Sequence, residues 1–209
     1  PIRDYRRMRV LCVVAHPDDE VLMCGGTLAK HALAGDDVHV LTFTDGVGSR
    51  EDGDPSVRDE EFVRACEVIG VRTMDRHAYT DQELDTVSRR QLSAGIVLTL
   101  RIEPPDIIYT HWLYDLNQDH RRVAEAVLIA TRPCAGSSVK RVLAGEVSES
   151  TSQAFGMPPF APNVYIELSG EAIGKKLDAL ACYASEKREK PHPRSQAGVI
   201  IRAAVRGSE

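Results

Sequence analysis

Three observations predict an α/β domain with a mostly parallel sheet: apolar runs rich in β-branched residues recur along the chain, segments of helical period separate them, and polar clusters stand where the apolar runs end. Residues 10–15 are a continuous apolar run, the pattern of a strand covered on both faces, and the run ends in His16-Pro17-Asp18-Asp19-Glu20. Residues 22–33 read as a helix with Gly35 as its stop. Residues 38–43 form a second strand that ends at Thr44-Asp45-Gly46. Residues 56–69 form a helix with Val57, Phe62, Ala65, Val68 and Ile69 as its apolar stripe, closed by Gly70. A helix over 87–102 is stopped by Pro104-Pro105, and a strand over 106–110 ends at His111. Residues 119–130 are helical, 141–147 and 164–168 read as strands, and 171–184 is a last long helix. The chain then becomes highly charged around Pro191-His192-Pro193-Arg194 and helix-like from Gly198. With no internal repeat and no separating linker, residues 1–209 read as one domain with 186–209 as a C-terminal tail.

A chain of 209 residues can bury roughly 70% of its unfolded surface and needs no staple to fold. The hydrophobic fraction of 43% and charged fraction of 27% exclude disorder and low complexity as descriptions of the whole. Lys and Arg number 26 against 31 Asp and Glu, a net charge of −5, which excludes a general nucleic-acid binder. Cysteines at 12, 24, 66, 134 and 182 show no C-x-x-C spacing, so neither a disulfide framework nor a cysteine-type metal site is indicated. Free, mostly buried thiols suit a reducing cytoplasm. No apolar run approaches the ~18 residues of a membrane span, and the arginine-rich start, with Arg3, Arg6, Arg7 and Arg9, lacks the features of a secretion signal. A cytoplasmic protein is expected.

In open α/β sheets ligands bind outside the carboxyl ends of the strands, where the strand order reverses. The His16–Glu20 cluster lies at such an end. A helix N-terminus would account for one or two of its acids, but not for the histidine, whereas a bound cation accounts for the whole set. His16 and Asp19, three residues apart, can reach one ion across a tight turn, which leaves Asp18 free to act as a base. A catalytic metal site needs a third protein ligand and an open position. His120, opening the helix after the third strand, is the candidate. His31 and His39 fall within a helix and mid-strand, and His77 has only Asp75 near it. His111 reads as a packed histidine or one that orients a ligand rather than as a ligand itself, Trp112 and Tyr114 read as packing against the alternative of walling a substrate, and Gly25-Gly26 is no dinucleotide fingerprint.

Ala15-His16-Pro17-Asp18-Asp19-Glu20, Gly25-Gly26-Thr27, Asp45-Gly46, Arg58-x-x-Glu61 and Asp119-His120-Arg121, in that order over nearly the whole chain, resemble the PIG-L/LmbE family of zinc-dependent N-deacetylases. Pro191-His192-Pro193-Arg194-Ser195 resembles bacterial members of sugar-biosynthesis clusters. The resemblance implies a Rossmann-like three-layer fold and removal of an N-acetyl group from an amino sugar of the N-acetylglucosamine type, free or linked to a nucleotide, lipid or metabolite. It implies His16, Asp19 and His120 as ligands of Zn²⁺, with Fe²⁺ or another divalent ion as alternatives, Asp18 as general base, and a homo-oligomer. Many relatives carry a histidine three residues before the metal-binding histidine; here Asn117 stands there, able to donate a hydrogen bond but not a proton. His192 is the candidate replacement as acid or oxyanion donor, against the alternative of a surface histidine. Arg58 reads either as a substrate clamp or as an exposed arginine paired with Glu61. Arg194 reads as a phosphate or carboxylate binder or as part of a solvated tail. Asp45 either holds a sugar hydroxyl, orients His16, or forms a turn. Two other functions compete: a metal-dependent amidase of a non-sugar acylamine, and a non-catalytic sugar-binding module, for which an intact Asp18 has no use.

Overall fold

The computed structural model describes residues 6–48, 53–133 and 139–209. Along the chain lie β1 (Arg9–Val14), α1 (Asp19–Leu33), β2 (Asp37–Thr44), α2 (Pro55–Ile69), β3 (Thr73–Tyr79), α3 (Arg89–Ile102), β4 (Ile107–His111), α4 (Gln118–Ala130), β5 (Arg141–Gly145), α5 (Gly170–Cys182) and α6 (Gln196–Arg206). The strands form one sheet in the order β3-β2-β1-β4-β5, every pair parallel. From β1 the chain moves outward to β2 and β3, then returns to β4 on the other side of β1. The order therefore reverses between β1 and β4, the place where such sheets open a binding crevice.

β1 explains the layering. Val10, Cys12 and Val14 face one core with α1, α2 and α5, through Val21, Leu28, Phe62, Ile69, Ala172 and Ala179. Leu11, Val13 and Ala15 face a second core with α3 and α4, through Leu92, Ile96, Val123 and Val127. A strand buried on both faces must be apolar at every position, which is why its sequence shows no alternation.

Elsewhere the structure departs from the sequence-based elements. β3 was not foreseen: it is an edge strand, Thr-Met-Asp-Arg-His-Ala-Tyr, half solvated and laddered among the described residues to β2 alone, and edge strands carry charge. Residues 164–168, expected as a strand, join no ladder. Ile166 and Leu168 instead pack against the first core, Leu168 lies over Gly26 in α1, where a Cβ would stand 2.6 Å from it, and Lys30 Nζ donates to the Glu167 carbonyl at 2.7 Å. Their apolar alternation is satisfied by a helix surface rather than by a sheet. α1 begins at Asp19, three residues before the expected start, so the acidic cluster itself forms its first turn. Within the tail, α6 docks through Val199 against Leu22 and Val147.

Cys12, Cys24 and Cys66 are buried free thiols and Cys182 is partly buried; Cys134 lies outside the described residues. Among the described residues no helix is long and apolar enough to cross a membrane.

Candidate metal centre

The end of β1 is held before the site begins. The Ala15 carbonyl accepts from the Thr42 and Thr44 hydroxyls at 3.2 and 3.0 Å, and the Ala15 N–H donates to His111 Nε2 at 2.9 Å. The chain then turns sharply. The Asp19 N–H returns to the His16 carbonyl at 3.2 Å, and Pro17 rests on Gly46, whose φ of 69° and whose space, with a Cβ placed 2.8 Å from Pro17 Cδ, both require glycine. Asp45 shapes this support: its Oδ1 accepts the N–H groups of Val47, Gly48 and Asp81 at 3.0, 2.9 and 3.2 Å, the work of a turn-forming aspartate.

Three donor atoms converge beyond the turn. His16 Nδ1 lies 2.9 Å from Asp19 Oδ2, His120 Nε2 lies 3.2 Å from the same oxygen, and the two histidine nitrogens are 3.3 Å apart. Donors at about 2.0–2.1 Å from a tetrahedral ion are separated by about 3.3 Å, so the spacing fits one divalent cation. The far nitrogen of each ring faces a buried carboxylate. His16 Nε2 meets Asp81 Oδ1 at 3.1 Å and Asp119 Oδ2 at 3.2 Å; His120 Nδ1 meets Asp115 Oδ1 at 3.2 Å. A carboxylate accepts a proton-bearing nitrogen, so with an ion bound these contacts would keep the ring protons on the far nitrogens and leave the lone pairs of His16 Nδ1 and His120 Nε2 toward the convergence point. The carboxylates are themselves anchored. Asp119 accepts the Gln82 and Leu84 N–H groups at 2.8 and 3.1 Å, and Asp115 accepts the Asn117 N–H at 2.9 Å and the Thr151 hydroxyl.

Electrostatics follow from this crowding. Burial pushes the His16 and His120 pKa values down, but Asp19 and the backing carboxylates outweigh it and hold both above the ordinary histidine range. Burial pushes Asp19 up, and the three histidines around it prevail and bring it well below the carboxylate range. His111 goes the other way: burial, reinforced by His120, holds it well below the histidine range. Its ring is stacked on His120, with centroids 3.9 Å apart and planes 7° from parallel. Glu20, buried behind the turn, accepts the Tyr183 hydroxyl at 2.6 Å and the Asp18 N–H at 3.0 Å, and burial raises it to about 8.

Asp18 stands apart from the three donors. It occupies the N-cap position of α1 with φ 110°, and its side chain makes no capping hydrogen bond. Burial raises its pKa against the pull of Arg194, whose Nη1 lies 3.6 Å from Asp18 Oδ2.

The remaining expected residues are distributed as follows. Arg58 is not at the mouth of the site: it is 1% exposed, ion-paired with Glu186, 3.8 Å from Glu61, and 5.6 Å from the Tyr183 ring centre. Its Nη1 donates to the Pro17 carbonyl at 3.5 Å, so it ties the His16–Asp19 turn to the C-terminal segment rather than reaching outward. The Asn117 side chain accepts the Asp119 N–H at 2.9 Å and serves as N-cap of α4. His192 Nδ1 accepts the Arg194 N–H at 3.1 Å, and its Nε2 faces Glu149 at 3.5 Å. The tail side chain brought to Asp18 is therefore Arg194.

Asp81, Asp115 and Glu149 were not singled out from the sequence. Asp81 follows β3 by two residues and would have been marked as a strand-end acid had that strand been recognised. Asp115 lies five residues before His120 with no pattern of its own.

Comparison with known proteins agrees with this arrangement. Residues 11–131 match the family model described as PIG-L: GlcNAc-PI de-N-acetylase. The chain is 32% identical to the diacetylchitobiose deacetylase of Thermococcus kodakarensis, over 89% of this chain and 72% of that protein. It is 26% identical to the probable N-acetyl-alpha-D-glucosaminyl L-malate deacetylase 2 of Bacillus anthracis, over 85% and 80%. The crystal structure of the conserved protein TT1542 from Thermus thermophilus superposes with a TM-score of 0.73 at 26% identity, covering 95% of this chain and 86% of that one.

Proposed function

The chain belongs to the PIG-L family of de-N-acetylases, and from that premise we propose that it hydrolyses the acetamide of an N-acetylglucosamine-type sugar, free or conjugated. The relatives that carry this reading are deacetylases of N-acetylglucosamine compounds by name. The observation that carries the chemistry is the convergence of His16, Asp19 and His120 at the sheet's switch point with the unligated carboxylate of Asp18 beside them. Two imidazoles and one carboxylate suit Zn²⁺, and Fe²⁺ accepts the same donors. An ion held there polarises an acyl oxygen and acidifies water.

Asp18 supplies the proton transfer. It takes a proton from the attacking water as the water oxygen bonds to the acyl carbon, and it returns that proton to the nitrogen as the C–N bond breaks. The products are a free amine and acetic acid, which gives up the second water proton to solvent or to the amine as acetate, and the Asp18 carboxylate is regenerated. Asp115 and Asp119 hold the two ligand rings so that the donors do not have to be organised during the reaction. The buried thiols suit a reducing cytoplasm, where we place the activity, and a homo-oligomer is the assembly to look for by light scattering.

The test is acetate release from N-acetylglucosamine, N,N′-diacetylchitobiose and N-acetylglucosamine conjugates, before and after chelation. Release should cease on chelation and return with zinc. Asp18→Asn should keep its metal and lose about 10²–10⁴-fold in turnover. Acetate release that survives complete metal removal would refute the reading, as would its absence from every such substrate.

A further inference from the structure

Asp18 raises a problem that its own helix does not solve. An aspartate at an N-cap ordinarily has its carboxylate held by an N–H of the first turn. Here the left-handed backbone at φ 110° turns the side chain away, and no capping bond forms. Its ion-pair partner among the described residues is Arg194, with Nη1 3.6 Å from Asp18 Oδ2.

Arg194 is itself aimed. Its Nε lies 3.2 Å from Glu149 Oε2, and Glu149 holds a left-handed φ of 90°, a conformation kept only where surroundings enforce it. The His192 ring braces the same arginine, accepting its backbone N–H at 3.1 Å. The segment is then locked by Ser195, whose N–H donates to the His192 carbonyl at 3.0 Å and whose hydroxyl caps α6 at Gly198. α6 rests through Val199 on Leu22 of α1, the helix that Asp18 opens. The guanidinium is thus mounted on the same rigid body as the carboxylate it faces. A planar fork can hold two carboxylates at once, and an arginine cannot exchange a proton near neutral pH, so its part is geometric.

We propose that Arg194, aimed by Glu149 and braced by His192, is a positioning residue that holds the Asp18 carboxylate in the orientation its proton transfer requires. The proposal rests on Asp18 being the base, and its test separates the two claims. Crystal structures of the zinc-loaded parent and of Arg194→Met should show His16, Asp19 and His120 unmoved and the Asp18 carboxylate turned or split between orientations. With metal content equal, Arg194→Met should lower kcat about 10- to 100-fold, the scale of an ångström's misplacement, with KM within about twofold. Arg194→Lys should recover part of the loss, and added guanidinium should recover part of it in Arg194→Ala. Glu149→Gln should lower kcat less, and combined with Arg194→Met should cost nothing further, because it acts through the arginine. If Arg194→Met does not fold, Glu149→Gln carries the same structural comparison. An unmoved Asp18 carboxylate overturns the proposal, as does a raised KM with normal kcat, or a loss that neither lysine nor guanidinium restores. If Asp18→Asn stays fully active while Arg194→Met still turns the carboxylate, the base assignment falls and the positioning contact stands.

Discussion

Removing the carboxylate behind His120 should separate the charge of that group from its role as an acceptor. Asp115 Oδ1 faces His120 Nδ1 at 3.2 Å and accepts the Asn117 N–H at 2.9 Å. Its Oδ2 accepts the hydroxyls of Thr151 and, at 3.3 Å, Ser150. In Asp115→Asn the Asn117 N–H demands that the amide oxygen occupy the Oδ1 position. The amide nitrogen then faces two hydroxyls that can rotate to accept. The His120 tautomer survives and only the negative charge is lost, so metal affinity should fall about tenfold, the mild end for a partner behind a ligand. Asp115→Ala also leaves the Asn117 N–H and the Thr151 hydroxyl without an acceptor and frees the ring to rotate. Affinity should then fall about 100-fold, or about 2.7 kcal/mol. The metal-free protein should lose about 2–6 kcal/mol of stability, since each of the two stranded donors costs about 1–3 kcal/mol. Competition against a chromogenic chelator gives the affinities, and urea unfolding in excess chelator gives the stabilities. Affinity within twofold of the parent in Asp115→Ala would refute the argument, and so would an asparagine variant as weak as the alanine.

Three other outcomes follow from single contacts. Asp106, buried at the foot of β1 and β4, is held below the ordinary carboxylate range by Lys140 and by the Arg9 N–H. Its stabilisation is therefore present above the unfolded pKa near 3.9 and lost as pH falls through the lower folded value: Asp106→Asn should be less stable by about 1–3 kcal/mol at pH 7, and a gap that persists undiminished at pH 2–3 would contradict this. Asp18→Gly and Asp18→Asn both remove the carboxylate, but only glycine relieves φ 110°, so the glycine variant should be the more stable by about 1 kcal/mol; equal denaturation midpoints would show that no strain is stored there. Gly46→Ala should destabilise by about 1–3 kcal/mol and weaken metal binding, because the new methyl must displace Pro17 beside His16; unchanged metal affinity would mean that the turn absorbs the displacement.

The parts of this protein that could be read from its sequence are those where a physical demand acts within one short segment. From Val10 to Val14 β1 must be apolar because both faces are covered, and a single cation would need His16 and Asp19 within one turn, so each leaves a local mark. β3 is paired on one side only and solvated, is under no such demand, and its charged sequence hid Asp81 with it. The residues that aim the site have only to meet in space. Arg58 reads as a surface arginine until Glu186, 128 positions later, closes over it, and Glu20 reads as one more acid of its cluster until Tyr183, 163 positions on, is found donating to it. The same distinction bears on the tail. His192 is a candidate because Asn117 stands where relatives carry a proton-capable histidine and because a Pro-His-Pro frame holds it, both read from the sequence without knowing what lies near. Arg194 reaches Asp18 because Glu149, Ser195 and α6 fix where its guanidinium lies, a property of three contacts that no local pattern encodes. Where a reaction needs a group placed rather than a group that titrates, the structure and not the residue's chemistry selects it.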